Sequence, residues 1–325
     1  MTRPDDTVGA DALGSGAHED VNSGVGSVRF ARGGVRIEVE AMGTVVRVRA
    51  YAIAQALAAT LAARTKALLA ELERVLSRFT SHSDVARIRA AHGGWTRVHE
   101  HTGSVLEAAQ RMRRTTDGAF DVCLGAGEID VDNQGRWRST PDAPLDLGGI
   151  AKGYAADRIR DLYSQAGVGG ALVDIGSSSI AAHGEPEGGG PWRVGLRAPG
   201  HGPVDVFGTV DLSGGALSTS GDYVRREEAW GEGRHRRQMI LDPRTGSQAR
   251  SSVLSATVLG ADGMTAEALS TAAVVLGPEG LVEVLARERG FDAILATEAG
   301  ILATSGVGAA FTPRRPLAGA QASPQ

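Results

Sequence analysis

The pattern of apolar and polar positions predicts that the folded chain begins with strands and continues with a long helix. Residues 35–42 and 44–51 alternate apolar and polar side chains, which is typical of half-buried strands, and Gly43 between them suggests a bulge or a kink. Over residues 53–76 the apolar side chains recur near helical spacing. This stretch is therefore predicted to be one long helix.

Two shorter helices are predicted next from their start signals. Ser83 is a favourable N-cap for a helix that runs through Ile88. Ser104 and Glu107 have the spacing of a capping box, so residues 105–113 are predicted to be helical behind them.

The second half of the chain mixes strands and helices without a steady alternation. Residues 145–150 are predicted to form a strand that enters a glycine turn, 152–166 a helix and 171–175 another strand. The remaining predicted elements are strands at 192–196, 204–212, 238–241 and 253–259, a helix at 266–276, another helix with Pro278 in its first turn, and a strand pair at 292–296 and 300–304. The irregular order favours an α+β fold over a doubly wound sheet.

Neither end of the chain carries an apolar pattern. We therefore expect a disordered arm at residues 1–26, a folded region at 27–312 and a disordered tail at 313–325. The N-terminus lacks the apolar core of a secretory signal and the cysteine of a lipoprotein anchor. Charged residues interrupt the longest apolar stretches before the roughly 18 residues needed to span a bilayer. These features predict a cytoplasmic protein without a membrane anchor.

Composition and charge exclude several classes of function. The formal net charge is −4 and aromatic residues make up 4% of the 325 residues, so neither a basic surface nor stacking platforms for nucleic acid are expected. The single cysteine, Cys123, excludes an intramolecular disulfide and a cysteine metal cage. No histidine motif accompanies Cys123, so we interpret it as a small buried hydrophobic residue rather than a nucleophile.

The first chemical candidate is the segment at residues 146–157, which reads DLGGIAKGYAAD. Two glycines that open a helix with an early lysine, Lys152, offer backbone N–H groups, the positive end of a helix dipole and a cation, which together suit a pyrophosphate. A plain strand–turn–helix corner with a surface lysine explains the same residues equally well. The P-loop and Rossmann glycine patterns are both absent from the chain.

The second and third candidates are weaker on their own. Glu267 and Thr271 are four residues apart, so they share one face of a helix and could supply hard oxygen ligands to magnesium. Alternatively, Glu267 only favours the positive end of the helix, and Thr265 only caps it. The segments 217–223 and 241–246 read first as an ordinary loop and an Asp-Pro-x-Thr-Gly turn.

Taken in order, these segments resemble the ApbE family, the FAD:protein FMN transferases. The resemblance runs from residue 42 to about residue 277, and the segment at 146–157 is its most specific part. The other matching segments are Met42-Gly43-Thr44, Ser77-Arg78-Phe79, Gly118-Ala119-Phe120-Asp121, residues 173–179, Trp192-Arg193-Val194-Gly195, residues 219–223, residues 242–246 and residues 266–271.

The resemblance implies a T-fold-like α+β architecture, with mixed or antiparallel sheets, packed helices and a second lobe, and with FAD in the cleft between the lobes. Positions that match the family's flavin contacts are Met42, Phe79, Ala119, Phe120, Asp121, Asp146 and Lys152. Positions that match its Mg²⁺ ligands are Gly149 through its carbonyl, Glu267 and Thr271.

The implied reaction moves FMN from FAD to another protein. A Thr or Ser hydroxyl of an acceptor sequence of the type Asp-x-x-x-Gly-Ala-Thr/Ser attacks the FMN phosphorus and AMP leaves, while Mg²⁺ neutralises the developing charge. No such acceptor sequence is found in this chain.

This chain departs from the family pattern at four places. Glu267 stands where Asp is usual, Ser177 where the second Gly of a Gly-Gly pair is usual, and Phe79 where Tyr is usual. Met239 stands where the family commonly has a His, the natural group to take the proton of the attacking hydroxyl. Asp222 is our candidate for the catalytic base, with His235 as an alternative, and Glu267 is taken as a catalytic residue through the metal.

Two other functions stay open from the sequence. Water could replace the protein acceptor, which would make the chain a FAD pyrophosphatase that releases FMN and AMP. The chain could also bind flavin or a partner without catalysis. As a first-turn surface carboxylate, Glu267 is expected to matter more for turnover than for stability, to which it would contribute only about 0.3–1 kcal/mol.

Overall fold

The computed structural model describes residues 20–22, 26–31, 34–200, 205–221 and 240–314. Its five α-helices are α1 (Gln55–Leu76), α2 (Asp84–Ala90), α3 (Glu100–Thr115), α4 (Ala151–Gln165) and α5 (Gly263–Arg287). Its strands are β1 (Asp20–Asn22), β2 (Gly26–Ala31), β3 (Gly34–Ala41), β4 (Thr44–Tyr51), β5 (Ile129–Val131), β6 (Trp137–Ser139), β7 (Gly170–Ile175), β8 (Ser179–Gly184), β9 (Trp192–Arg197), β10 (Val206–Leu212), β11 (Gly215–Gly221), β12 (Leu241–Asp242), β13 (Ser247–Gln248), β14 (Val253–Gly260), β15 (Asp292–Thr297), β16 (Gly300–Ala303) and β17 (Phe311–Pro313).

Ten of these strands form one antiparallel sheet in the order β1-β2-β3-β4-β7-β8-β11-β14-β15-β16. Helices α1, α4 and α5 pack on one face of it, where they bury the main apolar core. A three-stranded sheet in the order β17-β10-β9 contributes Trp192 and Phe207 to a second core, which also contains Leu172 and Leu217 of the large sheet. The α+β prediction with antiparallel sheets is confirmed, and the division at residues 27–312 stays a prediction.

Alternation along the strands explains the two cores. Leu172 of β7 lies in the second core, whereas its neighbours Ala171 and Val173 lie in the main core. Successive side chains of a strand point to opposite faces, so a strand covered on both sides reads as nearly continuous apolar sequence. This is why residues 171–175 are correctly predicted as a strand.

The hairpin between β3 and β4 corrects the prediction for Gly43. Ala41 pairs directly with Thr44, and the two residues between them, Met42 and Gly43, have φ values of 54° and 70°. Two successive positive φ angles define the tight turn whose twist matches a hairpin. Gly43 is therefore part of a two-residue turn rather than a bulge or kink.

The helix starts are predicted correctly in one case and wrongly in another. The Ser83 hydroxyl accepts the Ala86 N–H at 3.0 Å and caps α2, as expected. The capping box at residues 104 and 107 is wrong, because α3 already begins at Glu100 with His99 as its N-cap.

Three further segments differ from their predicted structure. Residues 145–150 form a buried loop rather than a strand, because the Asp146 carboxylate accepts the Gly148 N–H at 2.9 Å and turns the chain. Residues 217–221, read as loop, belong to β11 in the middle of the large sheet. Thr265 does not cap α5; the Asp262 carboxylate accepts the Thr265 N–H at 2.7 Å instead.

Two sequence predictions concern helix α5, namely its break near Pro278 and its inability to span a membrane. It bends at Gly277, whose φ is 75°, and Pro278 begins its second segment, as the sequence predicts. By length and composition α5 could also span a membrane, in contrast to the expectation from the longest apolar stretches. It is 56% buried over its most apolar window and packs against the sheet, α3 and α4, as core helices do.

The predicted arm at residues 1–26 overlaps the start of the sheet. Asp20–Asn22 forms β1 and pairs with residues 27–29 of β2. The large sheet therefore includes residues 20–22, which the sequence pattern assigns to the arm.

Candidate active site

A cleft of about 910 Å³ opens where the N-terminus of α4 meets α5, β9, β10 and β11. Its size is at the upper end of small-molecule pockets. Among the predicted site residues, those that line it are Ala119, Phe120, Asp121, Asp146, Gly149, Lys152, Glu267 and Thr271. Residues separated by about 150 positions in the chain therefore meet in one place.

Glu267 is buried in one wall of this cleft and is not a surface carboxylate. Only 4% of its side chain is exposed. One carboxylate oxygen lies 2.7 Å from Nζ of Lys152, and the other accepts the Gly153 N–H at 2.7 Å. The carboxylate of Glu267 raises the pKa of Lys152 above its usual value, against the desolvation that would lower it. The ion pair thus joins α5 to the first turn of α4.

Gly153 allows the two helices to approach this closely. A Cβ atom at Gly153 would lie 2.0 Å from the carbonyl oxygen of Gly263. Asp157, one turn further along α4, accepts the N–H groups of Gly263 and Met264 at 2.8–3.0 Å and so caps α5. Both contacts fix where the side chain of Glu267 enters the cleft.

Hydroxyl groups surround Thr271 on the next turn of α5. The Ser220 hydroxyl of β11 lies 2.8 Å from the Ser270 hydroxyl and 3.2 Å from the Thr271 hydroxyl. Gly149 lies against Thr271, since a Cβ at Gly149 would come within 3.5 Å of that hydroxyl. Glu267 and Thr271 therefore bring a carboxylate and a hydroxyl, hard oxygen donors of the kind that Mg²⁺ prefers, to one wall of the cleft, with Gly149 beside them.

Asp146 and Asp121 both organise loops at the cleft. Besides turning the chain at Gly148, Asp146 forms an ion pair of 3.1 Å with Arg78, a cleft residue not predicted as part of the site. Asp121 accepts the N–H groups of Cys123 and Gly125 at 2.9 and 3.1 Å. The two carboxylates therefore fix the backbone conformation of loops that line the cleft.

Phe79 and Met42 do not line the cleft. Phe79 is 85% exposed, and the guanidinium of Arg78 lies 4.6 Å from its ring centroid. Met42 occupies the β3–β4 turn and packs on the main core, while its neighbour Thr44 lines the cleft. Phe79 is thus linked to the cleft through Arg78 and Asp146.

Sequence reasoning missed Arg78, Ser220 and the conformation of Ser177. Ser177 has a φ of 57° and donates its N–H to Asp174 at 2.7 Å. Ser177, which replaces the second Gly of the family's Gly-Gly pair, therefore adopts a positive φ that favours glycine. Arg78 could have been found from its position beside Phe79 in a matching segment. Nothing in the sequence around Ser220 indicates that it contacts Ser270 and Thr271.

The candidate base lies outside the described residues. Asp222, its alternative His235 and the departure at Met239 all fall in residues 222–239. The Asp-Pro-x-Thr-Gly turn that follows is confirmed: the Gly246 N–H donates to the Asp242 carbonyl at 2.9 Å.

Comparison with known proteins identifies the family to which the chain belongs. A family model described as the ApbE family matches residues 42–128 and 125–295. The FAD:protein FMN transferase of Klebsiella pneumoniae is 30% identical over 292 residues, covering 78% of this chain and 81% of the relative. The enzyme of the same name from Escherichia coli is 28% identical over 291 residues, with 78% and 81% covered.

Solved structures give the same result. The ApbE protein of Thermotoga maritima is 28% identical and matches with a TM-score of 0.72 over 84% of this chain and 97% of its own. The flavin transferase ApbE of Vibrio cholerae, at 22% identity, shares the fold with a TM-score of 0.72 over 90% and 99%. On the family match and the common fold, the chain belongs to the ApbE family.

Proposed function

We propose that this chain is a FAD:protein FMN transferase. The observation that carries the proposal is the convergence of Phe120, Asp146, Lys152, Glu267 and Thr271 on one cleft of a size suited to a nucleotide. The acceptor is a Thr or Ser hydroxyl in a sequence of the type Asp-x-x-x-Gly-Ala-Thr/Ser on another protein. Its oxygen forms a bond to the FMN phosphorus as the bond to AMP breaks.

The N-terminus of α4 is the proposed pyrophosphate site. Gly148 and Gly149 line the cleft just before the helix begins at Ala151, so a phosphate bound there would lie at the positive end of the helix dipole. Lys152 adds a cation whose Nζ lies 3.0 Å from the Gly148 carbonyl. These groups would hold the pyrophosphate of FAD near the wall that contains Glu267.

Mg²⁺ fits the same wall. The carbonyl of Gly149, the carboxylate of Glu267 and the hydroxyl of Thr271 are the residues that would hold it, with Ser220 3.2 Å from Thr271. When bound, the ion supplies charge neutralisation for phosphoryl transfer. Lys152 holds the Glu267 carboxylate at the cleft wall, and its ammonium is also available to the pyrophosphate.

Asp222 is the proposed base, because Met239 stands where the family commonly has a His and a methionine cannot take a proton. A general base contributes about 10²- to 10⁴-fold to a rate, so Asp222→Asn should slow transfer by that order while FAD still binds. FAD affinity and single-turnover transfer, measured on the same variant, separate the two effects.

Phe79 is proposed to stack on an aromatic ring of FAD at the rim of the cleft. Because its ring is exposed, Phe79→Ala should weaken FAD binding by about tenfold, as expected for loss of one stacked ring, and leave the thermal midpoint unchanged. Quenching of flavin fluorescence measures the affinity. Trp95→Ala, at another partly exposed aromatic that Arg138 covers, is the matched control and should bind FAD normally.

The proposed function is tested by incubating the protein with FAD and Mg²⁺, alone and with an acceptor domain. AMP release together with an acceptor heavier by one FMN supports the transferase. AMP and FMN release without an acceptor would instead support a FAD pyrophosphatase, the second candidate, which Met239 motivates. FAD binding without AMP under either condition rules out both reactions.

A further inference from the structure

Outside the cleft, three potential metal ligands from two helices meet on the helical side of the molecule. They are Glu71 on α1, His99 at the N-cap of α3 and His101 in its first turn. One ligand atom of each lies within 4.8 Å of the other two. None of the three lines the cleft.

The distances approach those of a metal-bound set. Nε2 of His99 lies 3.0 Å from a carboxylate oxygen of Glu71, and the two imidazole centroids are 5.0 Å apart. Two ligands of a tetrahedral Zn²⁺ ion with bonds near 2.0–2.1 Å are about 3.3 Å apart. Small side-chain rotations therefore suffice to close the set around an ion.

A tyrosine hydroxyl orients the imidazole of His101. Its Nδ1 lies 2.7 Å from the hydroxyl of Tyr154 on α4. With the Nδ1 proton donated to that oxygen, the lone pair of Nε2 is available to a metal, which is the usual arrangement of metal-bound histidines. Binding at Nε2 of His99 moves its proton to Nδ1, so the 3.3 Å contact with the His101 N–H is given up and the direct 3.0 Å contact with Glu71 is replaced by a shared metal ion.

We propose that Glu71, His99 and His101 form a second metal site that takes a borderline divalent transition-metal ion, with Zn²⁺ as the model ion. Two imidazoles and one carboxylate suit Zn²⁺ and are poor ligands for Mg²⁺. The three residues are half-buried, so water completes the coordination. A simple Glu71–His99 ion pair accounts for one contact but not for His101 and its Tyr154 partner.

The test is Zn²⁺ titration of the tag-free full-length protein by calorimetry, with Mg²⁺ in excess to occupy oxygen sites. We expect uptake of one Zn²⁺ ion, and visible absorption bands when Co²⁺ replaces it. The double variant His99→Ala/His101→Ala should abolish uptake. Tyr154→Phe should weaken it by about 10- to 100-fold, because only the hydrogen bond that orients His101 is lost.

Two control variants and one further ligand variant make the test specific to this site. His92→Ala removes a surface histidine that pairs with Asp142 and should bind Zn²⁺ normally. Glu267→Gln alters the cleft and should also keep the uptake. Glu71→Gln preserves side-chain shape but replaces a carboxylate ligand with a weaker amide, so it should weaken Zn²⁺ uptake while circular dichroism shows an unchanged fold. Uptake that survives in the double variant, or no uptake by the unmodified protein in excess Mg²⁺, overturns the proposal.

Discussion

At the scale of single residues, Glu267 has a structural role that its sequence position conceals. The pairing of its carboxylate with Lys152 and the Gly153 N–H means that Glu267→Ala leaves two polar groups without their acceptor. Loss of these contacts should lower the free energy of unfolding by about 1–3 kcal/mol, more than a surface carboxylate would contribute. Chemical denaturation measures this change.

The same residue allows a sharper test of function. Glu267→Gln should reduce Mg²⁺-dependent AMP release by about 100-fold or more, because an amide is a far weaker ligand than a carboxylate. Glu267→Asp, which restores the residue usual in the family, should keep most of the activity. Equal activity of the Gln and Asp variants across a Mg²⁺ titration would contradict a ligand role.

Ser177 gives a second prediction at this scale. Its φ of 57° is unfavourable for a side chain with a Cβ, so Ser177→Gly should raise the free energy of unfolding by about 1 kcal/mol. Ser164→Gly, at an exposed position in the last turn of α4, should lower it by about 0.5 kcal/mol. Urea unfolding of both variants checks the opposite signs.

At the scale of elements, the contact of α4 with α5 depends on glycine. Gly153→Ala should lower the free energy of unfolding by about 1–3 kcal/mol, because the added methyl meets the Gly263 carbonyl and forces the helices apart. Gly103→Ala in α3, whose nearest neighbour is Trp137 at 3.8 Å, should raise it by about 0.5–1 kcal/mol. Destabilisation of similar size in both variants would contradict this account.

The elements that sequence patterns predict well are those whose own residues determine them. The strand at 44–51 and the helix at 53–76 follow from alternation and helical spacing, and β15 and β16 are found in the same way. β8 and β11 are rich in Ser, Ala and Gly and owe their strand structure to neighbours on both sides of the sheet. Long-range pairing of this kind leaves little local signal.

Several residues that line the cleft can also be predicted from the sequence, but their contacts cannot. Lys152 and Glu267 are found from ordered motifs, but their direct ion pair depends on how closely two helices pack. The loop at 145–150 resembles a strand because Leu145, Leu147 and Ile150 are all buried, although the Asp146 turn prevents strand pairing. A buried loop and a buried strand both produce this apolar pattern, so the pattern alone cannot distinguish the two.

At the scale of the whole molecule, the single cysteine reports on global unfolding. Cys123 is fully buried, and burial raises its pKa to about 12. Iodoacetamide should therefore leave the native protein unlabelled at about pH 8 and label it fully in concentrated guanidinium chloride, because only an exposed thiolate reacts. Mass spectrometry measures the labelled fraction. Rapid labelling under native conditions would show that the core around Cys123 opens locally.

The large sheet also constrains the order in which the molecule can be assembled. Strand β4 pairs with β7, and residues 52–169 lie between the paired ends Tyr51 and Gly170. Closing so long a segment costs chain entropy before any contact is gained, which slows folding. The helices and early hairpins can form within this interval, whereas the cleft needs β4, α4 and β11 together. Flavin binding is thus a late marker of the finished fold, and a chain stalled during synthesis would be helical yet unable to hold its substrate.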